Sequence, residues 1–287
     1  MKPARLFLLL VYAACCCTAM AQNTESPATF FSFDFPGATN TQATAINIGG
    51  KIVGRYFSTD GVQHGFLLNG TQFKSIDVPG ATLTDVDWIN RYDQISGSYN
   101  TSDGKTHGYL LSKGLFTTID YPGAQTTTAF GIGDNDDVVG IETGSDGVTH
   151  GYLLKHGTFS SINFPGSTAT LPTMVVGQRI VGGYFIGAAD QGFLLSGGVY
   201  TSIGCPGDGN VFLSGMDPAG DMVGDVFTPD GNQHGLLIQN GKCILVDFPG
   251  GSNTYANGIA TGGNIVGRYT DASGVVHAFL AVCAQRH

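Results

Sequence analysis

Charge is scarce in this sequence. Asp, Glu, Lys and Arg make up only 12% of the 287 residues, and the 13 Lys and Arg residues are scattered along a chain whose formal net charge is −9. Basic runs and basic amphipathic patterns are absent. A chain of this kind is a poor partner for nucleic acid or for an anionic membrane surface. We therefore expect no nucleic acid among its partners.

Long Glu- and Lys-rich patterns at helical spacing are also missing. The sequence instead has 44 Gly residues, and its 42% of hydrophobic residues is enough for a sizeable core. Many glycines with few charges are typical of short strands joined by tight turns. The composition therefore predicts an all-β protein.

Residues 1–21 contain no Asp or Glu and have the three parts of a secretory signal peptide. Lys2 and Arg5 precede an apolar run from Leu6 to Ala14, and Ala19-Met20-Ala21 offers a small-x-small cleavage site. The apolar run is shorter than the roughly 20 residues that cross a bilayer. We predict a cleaved signal peptide rather than a membrane span, and export to the periplasm or the extracellular medium.

Lipid attachment at Cys15 is a weaker alternative, because Tyr12 stands where lipoprotein signals usually carry Leu. Residues 22–29 are polar and predict a flexible lead-in, and residues 284–287 a short tail.

A Pro-Gly pair recurs six times at an interval of 43 residues, shortened once to 41. Its prolines are Pro36, Pro79, Pro122, Pro165, Pro206 and Pro249. A fixed period of this length marks a repeat architecture. The repeats begin near residues 37, 80, 123, 166, 207 and 250.

Each repeat predicts four short strands. In the first repeat these are Ala43–Ile48, Ile52–Phe57, His64–Leu68 and Phe73–Val78, separated by turns rich in Gly, Asn and Asp. Four antiparallel strands in about 40–45 residues are the size of a propeller blade. The sequence therefore predicts a six-bladed β-propeller over residues 30–283.

The two ends of the repeat region predict how the ring closes. The last repeat stops at Cys283, after its third strand, and an extra strand, Phe30–Phe35, precedes the first repeat. Joining the two completes the sixth blade and covers both sheet edges. An open β-solenoid is the alternative, but it leaves the N-terminal strand unexplained.

The repeated motifs resemble a known family. Ile-Val-Gly-x-Tyr, Asp-Gly-x-x-His-Gly-Phe-Leu-Leu and Ile-Asp-x-Pro-Gly-Ala, with a Gly-Ile-Asn-like turn, are similar to the bacterial extracellular HAF repeats, and His277-Ala278-Phe279 contains that tripeptide itself. The resemblance covers nearly all of the chain beyond the leader. It implies export and a β-rich repeat fold, and it carries over no catalytic residues.

In five repeats a third-strand histidine is followed thirteen residues later by Asp or Asn. The pairs are His64–Asp77, His107–Asp120, His150–Asn163, His234–Asp247 and, through ring closure, His277–Asp34. With Ser75 between them, His64 and Asp77 could form a catalytic triad, or the histidines could bind a metal ion. Five near-copies around a ring instead favour a structural role, because an enzyme needs one such site. We predict a buried hydrogen-bonded network.

Function in a symmetric fold tends to lie where the repeats differ. After the second-strand Gly the repeats diverge, and the neighbouring blades five, six and one place Asp225, Arg268 and Arg55 there. At the next position Glu142 stands where most repeats have Tyr, and Trp88, the only Trp, replaces a small first-strand residue. We predict that these five residues contribute to a ligand-binding site.

The run Asp134-Asn135-Asp136-Asp137 lies in a turn of the third repeat. Carboxylates two residues apart suit calcium, although no bidentate Glu follows at loop spacing. Calcium is thus a possible ligand of this turn, and we expect no other cofactor.

Three cysteines lie beyond the leader, and an odd number permits one disulfide and one free thiol. By count, Cys283 falls at the end of the third strand of the last blade and Cys243 begins the fourth strand of blade five, near the same edge. We predict the bridge Cys243–Cys283 and a free Cys205.

Two classes of function remain open. The short, nearly uniform loops favour an exported, non-catalytic binding or scaffold module for a protein or a glycan, and we expect a monomer. The alternative is an exported enzyme that acts on a sugar or a lactone with a metal ion in the central channel. Enzymatic propellers usually carry blade-specific clusters of Asp, Glu, Asn and His on channel-side loops, which such short loops do not supply.

Overall fold

The structure is a computed structural model that describes residues 28–187, 189–205, 209–228 and 231–283. The predicted signal peptide with Cys15, residues 22–27 of the predicted lead-in and the tail at residues 284–287 lie outside the described residues.

The described residues form 24 strands in six sheets of four. The innermost strands are β2 (Asn40–Ile46), β6 (Leu83–Ile89), β10 (Thr126–Ile132), β14 (Ala169–Val176), β18 (Val211–Met216) and β22 (Ser252–Ile259). The second strands are β3 (Ile52–Phe57), β7 (Ile95–Asn100), β11 (Val138–Thr143), β15 (Arg179–Ile186), β19 (Met222–Phe227) and β23 (Ile265–Thr270). The third strands are β4 (Gln63–Asn69), β8 (Thr106–Ser112), β12 (Thr149–Lys155), β16 (Ala189–Ser196), β20 (Gln233–Gln239) and β24 (Val276–Val282). The outermost strands are β5 (Gln72–Ile76), β9 (Leu115–Ile119), β13 (Thr158–Ile162), β17 (Val199–Ile203), β21 (Lys242–Leu245) and β1 (Thr29–Phe33).

Each sheet is an antiparallel meander, and the six sheets stand side by side as the blades of a ring. This confirms the six-bladed β-propeller predicted from the repeats. The described part of the chain contains no helix, and hence none long and apolar enough to cross a membrane.

The N-terminal strand closes the ring, as predicted. β1 pairs antiparallel with β24, from Thr29 opposite Val282 to Phe33 opposite Ala278. The ring of Phe30 also packs on Phe248, at a centroid distance of 5.7 Å. The N-terminal strand is thereby held in the last blade by both backbone hydrogen bonds and an aromatic contact.

The strands run between two faces of the ring, which we name by their loops. The hairpin face carries the turns between first and second strands, residues 47–51 in blade one, and between third and fourth strands, residues 70–71. The connection face carries the turns between second and third strands, residues 58–62 in blade one, and the connections between blades, residues 77–82 after blade one.

A glycine in the second strand of every blade lets the innermost strand bulge against it. A Cβ atom on Gly54 would lie 2.0 Å from the carbonyl oxygen of Gln42, and β2 shifts its register on β3 between Ala43 and Ala45. Only glycine permits so close an approach. This requirement explains why Ile-Val-Gly and its variants recur in the sequence.

A buried threonine ties most connections to the blade that follows. The backbone N–H of Phe35 donates to Oγ1 of Thr41 at 3.0 Å. The same bond joins Val78 to Thr84, Tyr121 to Thr127, Phe164 to Thr170 and Phe248 to Thr254. Each bond satisfies a backbone group that would otherwise lack a partner.

The residue whose N–H donates to this threonine also packs against the outermost strand of the following blade. The ring centroids of Phe35 and Phe73 are 5.3 Å apart, and those of Phe164 and Tyr200 are 5.5 Å apart. In blade five the equivalent positions hold Cys205 and Cys243, which form a disulfide with a Cα–Cα distance of 6.0 Å. A covalent bond here replaces an aromatic contact.

The predicted Cys243–Cys283 bridge is therefore wrong. Counting along one hairpin overlooks the connection from blade four, which crosses the outermost strand of blade five and brings Cys205 to Cys243. Cys283 is half-buried and lies outside the bridge.

Deleting residues 22–36 removes β1, so we expect the edge of β24 to be exposed, the melting temperature to fall and the chain to self-associate. Thermal melts and light scattering measure both effects. Deletion of residues 22–27 alone is the control and should change neither. A monomer with an unchanged melting temperature after the longer deletion would show that closure contributes nothing.

Removing the disulfide with Cys205→Ser and Cys243→Ser should lower the free energy of unfolding by about 2–4 kcal/mol, because the unfolded chain gains freedom and the junction loses a contact. Cys205→Phe with Cys243→Tyr copies Phe164 and Tyr200 and should recover part of that loss. Cys283→Ser is the control. If denaturant melts give the double Ser variant the same free energy of unfolding as the native chain, this account is contradicted.

Candidate functional site in the central channel

The innermost strands line a central channel. In β6, β10, β14, β18 and β22 alternate residues are partly exposed although no strand lies further in, so their side chains face the channel. Blades six, one and two contribute polar residues, namely Tyr255, Asn257, Gln42, Asp85 and Asp87. Blades three to five contribute more apolar residues, among them Phe130, Leu171 and Phe212. The channel is thus polar on one side and apolar on the other.

An ion pair crosses from blade one to blade two on the polar side. Nη1 of Arg55, on β3, contacts Oδ2 of Asp85, on β6, and Asp87 lies two residues further along β6. Within the described residues, three atoms of this group are buried without a hydrogen-bond partner, namely Arg55 Nε, Asp85 Oδ1 and Asp87 Oδ2. A buried polar atom without a partner costs on the order of 1–3 kcal/mol. The group is therefore incomplete by itself.

Arg268 and Asp225 continue this polar side into blades six and five. The guanidinium of Arg268 lies 3.9 Å from the ring centroid of Tyr255, and its Nη1 donates to Oε1 of Gln42 at 2.7 Å. Asp225 accepts a hydrogen bond from Nε2 of Gln233. The stacked guanidinium and the ring form a flat, rigid surface beside the ion pair.

Arg55, Asp85, Asp87, Asp225 and Arg268 form what we call the channel cluster. Burial raises the pKa of Asp87 well above its usual range, and the charge of Asp85 adds to this. Burial also raises the pKa of Asp225 to about 7, against the attraction of Arg268. The pKa of Arg268 is lowered by burial and by repulsion from Arg55. Burial would lower the pKa of Arg55 too, but Asp85 and Asp87 raise it. The two guanidinium groups and the three carboxyl groups of the cluster carry opposite charges, so its net charge is small.

The cluster brings together three of the predicted residues and adds two that sequence reasoning misses. Arg55, Arg268 and Asp225 come from adjoining blades, and each lies close enough to alter the pKa of the next. Asp85 and Asp87 were detectable, because the other repeats have no carboxylate at either position. Comparing the repeats in the first strand as well as in the second would have found them.

Trp88 and Glu142 lie apart from the cluster. Trp88 is 5% exposed and crosses the channel towards blade five, where a Cβ atom on Gly215 would lie 2.7 Å from its Cη2. Glu142 is 8% exposed and stands opposite His150 in the register of β11 and β12. Burial raises the pKa of Glu142, and His150 opposes that shift. The structure therefore does not place the five predicted residues in one site.

Four of the predicted His–Asp pairs form hydrogen bonds on the connection face. Nδ1 lies 2.7–2.8 Å from a carboxylate oxygen in His64–Asp77, His107–Asp120, His234–Asp247 and His277–Asp34. Among the described hydrogen bonds, none joins His150 to Asn163. The prediction that these pairs are buried is wrong, since the His side chains are 21–27% exposed and the Asp side chains 40–53%. They lie where the short loops leave them open to water, and exposed pairs contribute only about 0–1 kcal/mol each.

The hydroxyl near these histidines is not arranged for nucleophilic catalysis. Oγ of Ser75 donates to Oδ2 of Asp77 at 2.6 Å, and His64 contacts the other oxygen of the same carboxylate. Nε2 of His64 faces Oγ of Ser58 instead, at 3.3 Å. A nucleophile needs a direct hydrogen bond to its base, which Ser75 does not make to His64 here.

The carboxylates of the predicted calcium turn point apart. Asp134 bonds to Nε of Arg91 at 2.6 Å, whereas Asp137 accepts from Nζ of Lys155 at 3.1 Å and from Asn135 at 2.7 Å. Asp136 adopts a positive φ of 64° in the turn. The Asp134 carboxylate and Oδ2 of Asp137 are thus engaged by different groups of the chain, whereas Oδ1 of Asp137 is buried without a hydrogen-bond partner among the described residues. In the residues that the structure describes, no three His, Cys, Asp or Glu side chains are grouped for a metal ion.

No family model matches this chain, and no curated protein matches it. Solved structures do resemble it. A candidate TolB protein from Agrobacterium tumefaciens matches with a TM-score of 0.60 and 14% identity, over 90% of this chain and 98% of that one. A lectin from Aleuria aurantia, in complex with Fucα1-6GlcNAc, matches with 0.54 and 10%, over 87% and 97%. The β-propeller domain of the Trilobed protease from Pyrococcus furiosus matches with 0.53 and 12%, over 85% and 81%. At these identities the likeness shows the propeller fold alone.

The raised pKa of Asp225 predicts a pH-dependent effect on stability. The pKa is 3.8 for a free side chain and about 7 in the folded chain, so ionisation opposes folding increasingly between these values and fully above 7. Asp225→Asn cannot ionise. It should therefore raise the free energy of unfolding by roughly 1–2 kcal/mol at about pH 8.5, discounted for partial exposure, and by much less at about pH 5.

Denaturant melts at both pH values measure this difference. Asp136→Asn, at an exposed turn position with a positive φ that Asn tolerates, is the matched control. An effect of Asp225→Asn that is equal at both pH values would show that the carboxyl group does not titrate as described.

Proposed function

We propose that this chain is an exported, non-catalytic binding protein that holds a neutral, hydroxyl-rich ligand, such as the end of a glycan, at the channel cluster. The observation that carries the proposal is the group of three buried polar atoms without partners on Arg55, Asp85 and Asp87. One of these atoms is a donor and two are carboxyl oxygens, which accept hydrogen bonds when ionised and can donate one when protonated. A ligand that can both donate and accept would satisfy all three.

A sugar hydroxyl has this property. It can accept from Nε of Arg55 and donate to Oδ1 of Asp85, and a neighbouring hydroxyl can reach Asp87. A metal cation fits less well, because Arg55 and Arg268 would repel it. A ligand with a strong negative charge would be repelled by Asp85 and by ionised Asp225. The near-neutral cluster therefore favours an uncharged polar ligand.

The rest of the channel supports the same class of ligand. Sugar rings have polar edges and apolar C–H faces, and aromatic side chains commonly pack on such faces. Phe130 stands on the apolar side of the channel, and Phe212 lies beside Asp225 in the register of β18 and β19. Tyr255 contributes a further aromatic ring, on which the guanidinium of Arg268 is stacked. The lectin from Aleuria aurantia, although similar only in fold, carries Fucα1-6GlcNAc, which makes fucosides reasonable first probes.

Export is supported by several features together. The leader has the parts of a signal peptide, the motifs resemble those of bacterial extracellular HAF repeats, and the Cys205–Cys243 disulfide suits an oxidising compartment. The periplasm and the cell surface both meet that condition. Mass spectrometry of the N-terminus of the secreted chain tests the cleavage site.

A second candidate function is acid–base catalysis on a sugar or lactone. One observation favours it: Asp87, whose pKa is raised by burial, lies two residues from Asp85, whose carboxylate is paired with Arg55. Carboxyl groups whose environments differ in this way serve as acid and base in many enzymes. Product analysis in the binding experiment separates the two functions.

The test is binding of the secreted chain to an array of methyl glycosides and disaccharides, followed by calorimetric titration of the best ligand. Asp85→Asn and Asp87→Leu each remove or alter a polar atom that the ligand should satisfy, so each should weaken binding about tenfold or more. Asp93→Asn on the hairpin face, where the carboxylate pairs with Lys51, is the control and should leave affinity unchanged.

Retention of affinity in both channel variants would place the ligand elsewhere, and an array without saturable binding would overturn the proposal of a glycan ligand. NMR spectra of the bound sugar that show cleaved or rearranged product would establish the enzyme instead. Melting temperatures of all variants verify that each chain is folded.

A further inference from the structure

A second cavity lies at the hairpin-face end of the channel. Its volume is about 370 Å³, at the lower end of the roughly 300–1,000 Å³ of small-molecule sites. All six blades line it, and Trp88 forms part of its floor together with Met174. None of the channel-cluster residues belongs to its lining. This cavity is therefore a different site from the one proposed above.

Trp88 separates the two sites. It extends from blade two across the channel to Gly215 in blade five. At the level of Trp88 the other blades carry Ala45, Gly131, Met174 and Gly258, which leave room for its ring. Trp88 is 5% exposed, so its ring is packed across the channel, and part of it lines the cavity.

The walls of the cavity are apolar on one side. Blades four to six contribute Val176, Met216, Pro218, Ile259 and Ala260. On the other side, Asn47 and Asn90 use their amide groups within the turns, since Asn47 donates to the carbonyl of Asn90 at 3.1 Å and Asn90 donates to that of Gly133 at 3.1 Å. These bonds hold the polar wall rigid without a ligand.

The charges at the rim cancel. Arg91 is paired with Asp134 at 2.6 Å, and both line the cavity. Beyond them Ile48 and Tyr92 are 66% and 63% exposed, which extends the apolar surface outward from the mouth. A charged ligand would lose hydration here without gaining a free counter-charge.

We propose that the hairpin-face cavity is a second binding site, which takes a small neutral compound with a flat apolar body and one hydrogen-bonding edge. An aromatic alcohol or amide has this form. Its apolar body packs on Trp88, Met174 and the wall of blades four to six, and its polar edge faces Asn135 and Thr261, the other polar uncharged residues of the lining. The site does not depend on the function proposed for the channel cluster.

The chain reports on this site directly, because Trp88 is its only Trp. We would titrate the whole secreted chain with benzyl alcohol and benzamide, with benzoate as the charged comparison, and follow Trp emission and the heat of binding. Saturable emission changes with the two neutral probes, and at least tenfold weaker binding of benzoate, are expected.

Val176→Phe enlarges a half-buried side chain in the cavity wall and should reduce neutral-probe binding at least tenfold, measured by heat. Trp88→Phe should abolish the emission signal and reduce the affinity measured by calorimetry. Asp77→Asn, in an exposed pair with His64 on the connection face, is the control and should change neither. Sugar binding at the channel cluster should in turn survive Val176→Phe, so failure of one site is distinguishable from failure of the other.

Two results would overturn the proposal. One is a linear, non-saturating response of Trp88 to every probe, which denotes solvent effects rather than a site. The other is binding that is saturable but unchanged in folded Val176→Phe, which places the probe outside the cavity.

Discussion

The close approach of each second strand to the innermost strand is the constraint on which this propeller depends. At Gly54 and its equivalents a Cβ atom would overlap a carbonyl oxygen of the neighbouring strand. The bulge that this glycine permits lets residues such as Thr44 donate to the carbonyl of the next blade, here to Val86 at 2.9 Å. One small residue per blade therefore sets the inner register, the contact between blades and the residues that face the channel.

The sequence predicts the fold well because its turns are chemically explicit. Pro-Gly pairs and glycine-rich turns mark each blade, and β3 is found at the predicted residues, Ile52–Phe57. β2 was predicted as Ala43–Ile48 but spans Asn40–Ile46. It ends early because Oδ1 of Asn47 accepts from the backbone of Gly49 and Lys51 and so forms the turn itself. Side-chain bonds of this kind cannot be read from hydrophobic alternation.

The candidate site was harder to predict, because it depends on neighbours in space rather than in sequence. The departures from the repeat at Arg55, Arg268 and Asp225 do point to the channel, whereas Glu142 lies beside His150 outside it. The His–Asp pairs were expected to be buried because near-copies in five repeats indicated a structural network, but their exposure depends on loop length at the connection face. The disulfide could have been predicted by aligning the repeats. Cys205 and Cys243 stand at the positions that Phe164 and Tyr200, which are in contact, occupy in the preceding blade.

Because a disulfide stands at this equivalent position, the stability of the ring depends on the redox conditions around the chain. Aromatic pairs such as Phe35 and Phe73 hold a connection to its blade through the hydrophobic effect, which does not depend on redox conditions. At the junction of blades four and five the two sulfur side chains are small, and the disulfide supplies the contact that aromatic rings make elsewhere. Under reducing conditions this one junction of the ring therefore lacks its covalent bond, and under oxidising conditions the disulfide joins the connection to its blade.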